Sequence, residues 1–290
     1  MRGAVAGRVA VVTDSTAYLP VDLVATHSIT VVPLQVVLGG RSLSEGVEVT
    51  SSEVAEALGS FTPVTTSRPA PALFAREYRR LAAEGARAVV SVHLSGEMSG
   101  TVAGARQAAG EVAGDVEVHV VDSRSMGMGL GFPVLAAARA AQAGQDVVAV
   151  AEIAARTALA TRAWLYVDTL EYLRRGGRIR AAQAWFGSAL AVKPLLELVD
   201  GRLQPVERVR TSSRALARLA ELVAGATGDQ IIDVAVHHLA AAERAEKEAQ
   251  RLREVLPHVR SLHVAEVGAV VGAHAGPGML AVVTCPAQIR

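Results

Sequence analysis

The sequence of 290 residues is 51% hydrophobic and 20% charged, which provides for a large core and excludes a disordered chain. Its 29 basic and 28 acidic residues leave a formal net charge of +1, so no cationic surplus favours binding to nucleic acid. The single cysteine, Cys285, excludes a disulfide within the chain and favours a reducing compartment.

The first half of the chain alternates β-branched runs with alanine-rich amphipathic segments. A βαβα order requires crossover connections, so it predicts a parallel sheet with helices on both faces. Ligands of such sheets bind beyond the carboxyl ends of the strands, here in the loops after Thr13, Leu94 and Val121. Pro33 indicates an edge or a break in the second strand region. The predicted strands are residues 9–13, 29–38, 88–94 and 116–121, and the predicted helices are 71–83, 99–113, 127–143 and 146–159.

The second half has a different pattern of predicted elements, with more strands and a charged helix near its end. We therefore predict an α/β chain of two lobes, an N-terminal parallel-sheet domain over residues 1–158 and a C-terminal α/β domain over 159–290. The predicted strand regions are 164–170, 193–199, 206–209, 231–239, 261–267 and 279–285, and the predicted helices are 213–224 and 240–256.

Two hydroxyl-rich segments precede predicted helices. Thr66 and Ser67 lie just before Pro69, where they could cap a helix or bind an anion at its N-terminus, and capping is the ordinary explanation. The second segment follows a strand, and its glycines allow close approach of the backbone to a ligand. It lacks the lysine of a Walker loop, so a carboxylate or phosphate cradle and a simple capped helix both remain open. Its candidate residues are Ser95, Gly96, Ser99, Gly100 and Thr101.

A basic turn and a histidine complete the set of candidate segments. Arg178 ends the run Arg-Arg-Gly-Gly-Arg, which alone is typical of a solvated turn. His274 lies in a glycine-rich segment predicted as a loop, where it could donate a hydrogen bond to an acid in either protonation state.

Together these segments resemble the DegV family, in the order expected for that family and over nearly the whole chain. The residues that carry the resemblance are Thr-Asp-Ser-Thr (13–16), Thr-Ser-x-Pro (66–69), Ser-x-x-x-Ser-Gly-Thr (95–101), Asp-Ser (122–123), Asp-x-Leu-x-x-Leu-x-x-Gly-Gly-Arg-Ile (168–179), Lys-Pro (193–194) and His-x-Gly-Pro-Gly (274–278).

The resemblance implies a two-lobed protein that buries one long-chain fatty acid, such as palmitate or oleate, between its lobes. It implies that Thr66, Ser95 and His274 contact the carboxylate, and that Arg178 docks a partner. That partner would be an ATP-dependent fatty-acid kinase subunit, which makes an acyl-phosphate for phospholipid synthesis, so the chain itself would catalyse nothing and need no cofactor. Arg68 and Gly96 depart from the family, which often has glutamine and serine at these positions.

The bound lipid also agrees with elementary energetics. Burial of ~15 methylenes offers roughly 12 kcal/mol at ~0.8 kcal/mol each, against ~1.5–3 kcal/mol for a hydrogen bond to a carboxylate. The tail would therefore supply most of the affinity, and the polar groups would fix the position of the head. Met126, Met128 and Phe132 are possible lining residues, although ordinary core is the better prediction for each.

Other functions remain possible on sequence alone. A serine hydrolase could use Ser95, His274 and Asp14, but no Gly-x-Ser-x-Gly elbow is present. A phosphate-binding protein could use the Ser95 loop, and a regulator could merely sense lipid. We predict no metal site, because the histidines lack ligand spacing. We also expect no signal peptide or membrane helix, hence a cytoplasmic protein with at most transient membrane contact.

Overall fold

The computed structural model describes residues 8–179 and 192–287. The strands in these ranges are β1 Arg8–Asp14, β2 Thr30–Val32, β3 Gln35–Leu38, β4 Arg41–Ser44, β5 Val64–Ser67, β6 Ala86–His93, β7 Glu117–Asp122, β8 Arg162–Tyr166, β9 Lys193–Val199, β10 Arg202–Val209, β11 Ile232–His238, β12 Val259–Glu266 and β13 Leu280–Pro286. The helices are α1 Val21–Thr26, α2 Ser51–Gly59, α3 Pro71–Ala83, α4 Thr101–Glu111, α5 Met128–Gln142, α6 Val147–Ala160, α7 Glu171–Arg175, α8 Ser212–Thr227, α9 Ala242–Val255 and α10 Ala269–Ala275.

The first sheet is parallel, with strand order β2-β1-β6-β7. Side chains alternate between its faces, as the pleat requires. Ala10 and Val12 of β1 pack with Phe74 and other residues of α3 and α4. Val11 faces the opposite way and packs with α5 and α6. The predicted parallel sheet with helices on both faces is confirmed.

The second sheet has strand order β10-β9-β8-β13-β11-β12, and β11–β12 is its parallel pair. Helices α8 and α9 cover one face, where Leu219 and Leu252 are fully buried. The other face turns toward the first lobe, since Ala235 and Val283 pack in the same cluster as α5. A second α/β layer is thus confirmed, and the boundary at 158/159 stays a prediction.

A small antiparallel sheet, β4-β3-β5, was not predicted. The predicted strand over residues 29–38 breaks at Pro33, which lacks an N–H for a ladder, and β2 and β3 then join different sheets. Thr66 lies on β5, paired with Val36, rather than at a helix start. Helix α3 begins after Ala70 with no side-chain cap, so the expected cap by Thr66 and Ser67 was wrong.

A buried polar network lies within the first lobe, at the carboxyl ends of β1 and β6. The carboxylate of Asp14 accepts hydrogen bonds from the backbone N–H groups of Thr16 (3.1 Å) and Leu94 (3.0 Å). Its Oδ2 also lies 3.0 Å from Nδ1 of His93, whose Nε2 lies 2.7 Å from Oγ of Ser91. The network holds the ends of β1 and β6 together, which fixes the loops that follow them.

No helix in residues 8–179 or 192–287 is long and apolar enough to cross a bilayer.

Replacement of Asp14 by alanine should destabilise the fold by roughly 3 kcal/mol or more, because several buried donors lose their acceptor together. Urea unfolding measures this loss of free energy. Asp115→Ala is the matched control, since Asp115 is exposed and pairs with Arg79 at the surface, and it should cost less than about 0.5 kcal/mol. Equal stabilities of the two variants would contradict the role assigned to the network.

Candidate functional site: an apolar cavity with a polar end

A cavity of about 390 Å³ lies between the two lobes. The loops after β6 and β7 line it from one side, and the inner face of the second sheet lines it from the other. Its walls are mainly aliphatic and methionine side chains. The apolar lining residues are Leu34, Leu94, Met98, Met126, Ala163, Trp164, Leu165, Leu173, Leu198, Leu203, Val267, Val270, Val271, Ala275, Met279, Ala281 and Val283.

Of the three residues considered as possible lining residues, Met126, Met128 and Phe132, one lines the cavity. Met126 lines the cavity, whereas Met128 and Phe132 lie on α5 and are buried in the core. Two of the three strand-end loops that the sequence singled out, those after Leu94 and Val121, contribute to the wall. The cavity is therefore near the carboxyl ends of the parallel strands, as such folds predict.

The polar end of the cavity is formed by Thr66 and His274. Oγ1 of Thr66 lies 2.8 Å from Nε2 of His274, although the two residues come from β5 and α10. Ser67, Ser99 and Gly100 also line the cavity. The structure thus brings together two of the three residues predicted to contact a carboxylate.

His274 lies on helix α10, not on the flexible loop that its glycine-rich context predicted. The helix is anchored near its start by Glu45, which accepts a hydrogen bond from the backbone N–H of Val270 (2.7 Å). The hydroxyl of Tyr18 accepts another from the N–H of Val271 (3.2 Å). The anchor removes backbone freedom next to His274. Sequence reasoning missed Glu45 and Tyr18, because no local motif marks them.

Burial, and to a smaller extent the Arg178 guanidinium, lowers the pKa of His274 to about 4. The ring is therefore neutral near pH 7, with one nitrogen that donates and one that accepts. A neutral imidazole beside a hydroxyl can bind a carboxylic head group through directed hydrogen bonds. When no ligand is bound, the neutral ring leaves no unpaired charge of its own in the cavity.

The glycines of the basic turn have a steric role at this site. A Cβ on Gly176 would lie 2.2 Å from Nδ1 of His274, so any side chain there would displace the ring. Gly176 has φ −71°, so its requirement is space rather than a left-handed backbone. The Gly-Gly pair, which alone is typical of a flexible turn, thus makes room for the histidine.

Arg178 also reaches the cavity. Its Nε donates to the carbonyl of Met98 (3.2 Å), and its Nη1 donates to the carbonyl of Gly176. Burial lowers its pKa, yet no carboxylate of residues 8–179 or 192–287 pairs with it. A guanidinium at the cavity wall that has further N–H donors is suited to bind an anionic ligand.

Ser95 is placed differently from the expectation. It is fully buried, and its hydroxyl donates to the carbonyl of Gly201 (2.7 Å) in the turn between β9 and β10. Ser95 is not among the residues that line the cavity. The backbone N–H of Gly96 bonds the carboxylate of Asp122, and a Cβ at Gly96 would lie 2.8 Å from that carboxylate. The departure to glycine at this position therefore has a local steric reason.

Ser99 and Thr101 bond each other through their hydroxyls at 2.8 Å. Arg68 donates to the carbonyl of Gly100 (3.4 Å) and lines the cavity, so this departure adds a positive charge near its rim.

The three residues considered as a hydrolase triad, Ser95, His274 and Asp14, each bond a different partner. Asp14 bonds His93, His274 bonds Thr66, and Ser95 bonds Gly201. No hydrogen bond links any two members of the Ser95, His274 and Asp14 set in the described part of the chain. Within the same residues, no cluster of three or more histidine, cysteine, aspartate or glutamate side chains is suited to hold a metal ion.

Comparison with known proteins identifies the family. The model of the DegV family, described as an uncharacterised protein family, matches residues 8–287. A DegV domain-containing protein of Streptomyces coelicolor is 57% identical over 275 residues, which cover 95% of this chain and 97% of that protein. The chain belongs to the DegV family, which confirms the resemblance seen in the sequence.

Two solved structures share the fold and exceed 30% identity. A DegV family protein from Thermus thermophilus, described for its fatty acid binding, superposes with a TM-score of 0.90 at 34% identity and covers 96% of this chain and 99% of its own. DegV from Bacillus subtilis, described as a fatty acid binding protein, gives 0.87 at 33% identity, with 97% and 99% covered.

Replacement of Gly176 by alanine should displace the His274 ring and destabilise the fold by about 1–3 kcal/mol, as overpacking does. Gly110→Ala is the control, because a Cβ at this exposed helical glycine meets nothing within 4 Å and should be neutral or stabilising by up to about 1 kcal/mol. Urea unfolding and the NMR signals of the His274 ring report the two effects. Gly176→Ala with wild-type stability and an unchanged ring signal would contradict the steric assignment.

Proposed function

We propose that this protein binds one long-chain fatty acid, with the chain in the apolar cavity and the carboxyl group at Thr66 and His274. The observation that carries the proposal is the cavity itself, which is mainly apolar and has a hydroxyl–imidazole pair at one end. An amphiphile with one long tail and one small polar head fits this division better than a sugar, nucleotide or peptide, each of which needs polar groups along its length.

The energetics favour the same class of ligand. Each methylene transferred from water to the cavity stabilises the complex by ~0.8 kcal/mol. Hydrogen bonds from Thr66 and His274 to the carboxylate add roughly 1.5–3 kcal/mol each before the costs of ordering. The tail therefore dominates affinity, and the two polar residues decide which end of the lipid lies at the His274 side.

The relatives support this assignment. The Thermus thermophilus and Bacillus subtilis proteins, both described as binding fatty acids, align with this chain over nearly its full length. Palmitate and oleate are the ligands that we propose to test first. Arg178, which lines the cavity without a carboxylate partner in the described ranges, would contribute positive charge near the head group.

Ser95 remains a proposed third contact. Its hydroxyl would have to leave the Gly201 carbonyl, and a shift of the β9–β10 turn would allow this. Gly201 has φ +80°, and a Cβ there would lie 2.5 Å from the Ser95 hydroxyl. The turn and the serine are therefore closely packed, so that movement of one requires movement of the other.

We propose further that the chain presents its fatty acid to an ATP-dependent kinase subunit and is itself not a catalyst. The separation of Ser95, His274 and Asp14 supports this, because it leaves the Ser95 hydroxyl without a histidine base. Arg178 and the exposed Arg174 and Arg175 of α7 are the proposed docking residues. The acyl-phosphate product would enter phospholipid synthesis in the cytoplasm.

Thr66→Val tests the position of the head group. The change keeps the shape of the side chain and removes its hydroxyl, so palmitate affinity should fall about tenfold or more. Isothermal titration calorimetry measures the dissociation constant, and Thr26→Val, at an exposed helix end, is the control. Unchanged affinity in Thr66→Val would place the carboxylate elsewhere.

A titration of the histidine rings tests the same assignment through charge. In the empty protein His274, with its pKa lowered to about 4, should stay neutral down to about pH 5. A bound carboxylate favours the imidazolium, so palmitate should move the NMR titration midpoint upward, toward the ordinary value of ~6.5.

His237 lines the same cavity and is the internal control for this titration, because its ring has no nitrogen free to bond a carboxylate. Its pKa is also lowered to about 4 by burial, and its two nitrogens are occupied by the Met128 N–H and the Ala265 carbonyl. Its midpoint should stay in place when palmitate binds. A His274 midpoint that also stays in place at saturation would exclude a carboxylate beside the ring.

A further inference from the structure

Another polar cluster lies outside the cavity, between the second sheet and α9. It joins three residues from separate motifs of the sequence, Asp168, Lys193 and Gly278, which the fatty-acid proposal does not use. Oδ1 of Asp168 accepts a hydrogen bond from Nζ of Lys193 (2.8 Å), and a Cβ on Gly278 would overlap Oδ2 of the same carboxylate. None of the three residues lines the apolar cavity.

The carboxylate of Asp168 connects four parts of the chain. Besides Lys193 at the start of β9, it accepts hydrogen bonds from the hydroxyl of Tyr166 on β8 (2.6 Å) and from Nη1 of Arg244 on α9 (3.3 Å). The same Nη1 donates to the carbonyl of Gly278 (2.9 Å), in the turn between α10 and β13. One carboxylate thus holds the two ends of the β8–β9 connection next to the turn that follows α10.

The segments that Asp168 holds carry the polar end of the cavity. The β8–β9 connection contains Gly176, which leaves space for His274, and Arg178, which lines the cavity. The turn at Gly278 follows α10, the helix on which His274 lies. Asp168 is therefore at the base of both segments, although it does not itself line the cavity.

Helices α7 and α10 also pack directly against each other. A Cβ on Gly276, the residue at which α10 ends, would overlap the ring of Tyr172 on α7. This contact leaves no spare room, so a shift of one helix moves the other. The position of the His274 ring relative to Arg178 thus depends on how both segments are held at their bases.

The cluster depends on the charge of Asp168. No other carboxylate in residues 8–179 or 192–287 forms an ion pair with Lys193 or Arg244. Burial acts to raise the pKa of Asp168, but the hydrogen bonds from Lys193 and Tyr166 outweigh it and lower that pKa, so the carboxylate is ionised near pH 7. Without this charge, two cations would face each other at the base of the site.

From these contacts we infer that Asp168 is a positioning residue for the ligand head group. From outside the cavity, its carboxylate holds the β8–β9 connection and the turn after α10 at the separation that places His274 beside Thr66. The apolar walls lie mainly on strands and on other loops, so loss of the charge affects the head group more than the tail. The inference rests on the proposed binding of a fatty acid with its carboxyl group at Thr66 and His274.

The second sheet offers a matched control. Asp168→Asn keeps the shape of the side chain and an acceptor for Tyr166, but removes the charge. Asp233→Asn removes a carboxylate that accepts hydrogen bonds from Arg260 (2.9 Å) and Ser261 (2.6 Å), none of which lines the cavity. The Asp233 side chain is 10% exposed against 33% for Asp168, so a general loss of stability should be at least as large in the control.

A double-mutant cycle with Thr66→Val separates positioning from general stability. Calorimetry measures the dissociation constant of palmitate for the wild type, both single variants and the double variant. Asp168→Asn should weaken palmitate about fivefold in the wild type but less than about twofold in Thr66→Val, because the pair that Asp168 positions is then already broken. Asp233→Asn should change the affinity less than about twofold in either background. The NMR signals of the His274 ring should shift in Asp168→Asn, while those of His237 stay in place.

Lys193→Gln supplies a second route to the same result if Asp168→Asn does not fold. It breaks only the 2.8 Å pair and leaves the bonds from Tyr166 and Arg244 in place. Palmitate should again bind more weakly, and again only when the Thr66 hydroxyl is present.

Three results would overturn the inference while leaving palmitate binding intact. One is equal weakening by Asp168→Asn with and without the Thr66 hydroxyl, and another is an equal effect of Asp233→Asn. The third is wild-type affinity in both Asp168→Asn and Lys193→Gln. Failure of the wild type to bind palmitate would instead refute the proposed function.

Discussion

The hydrogen bond between Thr66 and His274 spans 208 residues of sequence and lies at the polar end of a mainly apolar cavity. Its two ends are held independently. Thr66 lies on a strand of the small sheet, and His274 lies on a helix that Glu45 and Tyr18 anchor. Gly176 leaves space for the ring. If any of these supports moves, the cavity keeps its apolar walls but loses the group that orients a ligand.

Burial, rather than residue type, distinguishes the polar groups that stabilise this fold from those suited to bind a ligand. Ser91, His93 and Asp14 form a connected serine–histidine–aspartate network, yet all three are fully buried within the first lobe, on β1 and β6. No substrate could reach that serine, and Tyr78 also donates to its hydroxyl. This hydrogen-bonded network holds β1 and β6 together. The Thr66–His274 pair has fewer members but borders a cavity, so it is the one suited to bind a ligand.

Much of the fold was predictable because its strongest signals are local. The β-branched runs around Val11 and Val90 and the amphipathic pattern of α3 predicted the parallel sheet and its helices. The small sheet was missed, because β4 and β5 are short edge strands that depend on pairing with β3. Helix α10 was missed because its glycines favour a loop, whereas the anchor at Glu45 comes from a distant part of the sequence.

The candidate site was predictable only in part, for the same reason. Ordered motifs singled out Thr66, His274 and Arg178, which meet in the structure, and Ser95, which bonds Gly201 instead. The space that Gly176 leaves for His274 arises from tertiary packing and has no sequence pattern of its own. Helix α3 was predicted with its correct start at Pro71, but the predicted cap by Thr66 and Ser67 failed because hydroxyl residues before a proline also suit an edge strand.

The most direct test of the account is native mass spectrometry of the purified full chain, followed by organic extraction and identification of any lipid that dissociates. We expect one long-chain fatty acid per chain, or its uptake at one equivalent when palmitate or oleate is added to emptied protein. A chain that is purified without lipid and binds neither acid would contradict the central claim that the cavity between the lobes holds a fatty acid.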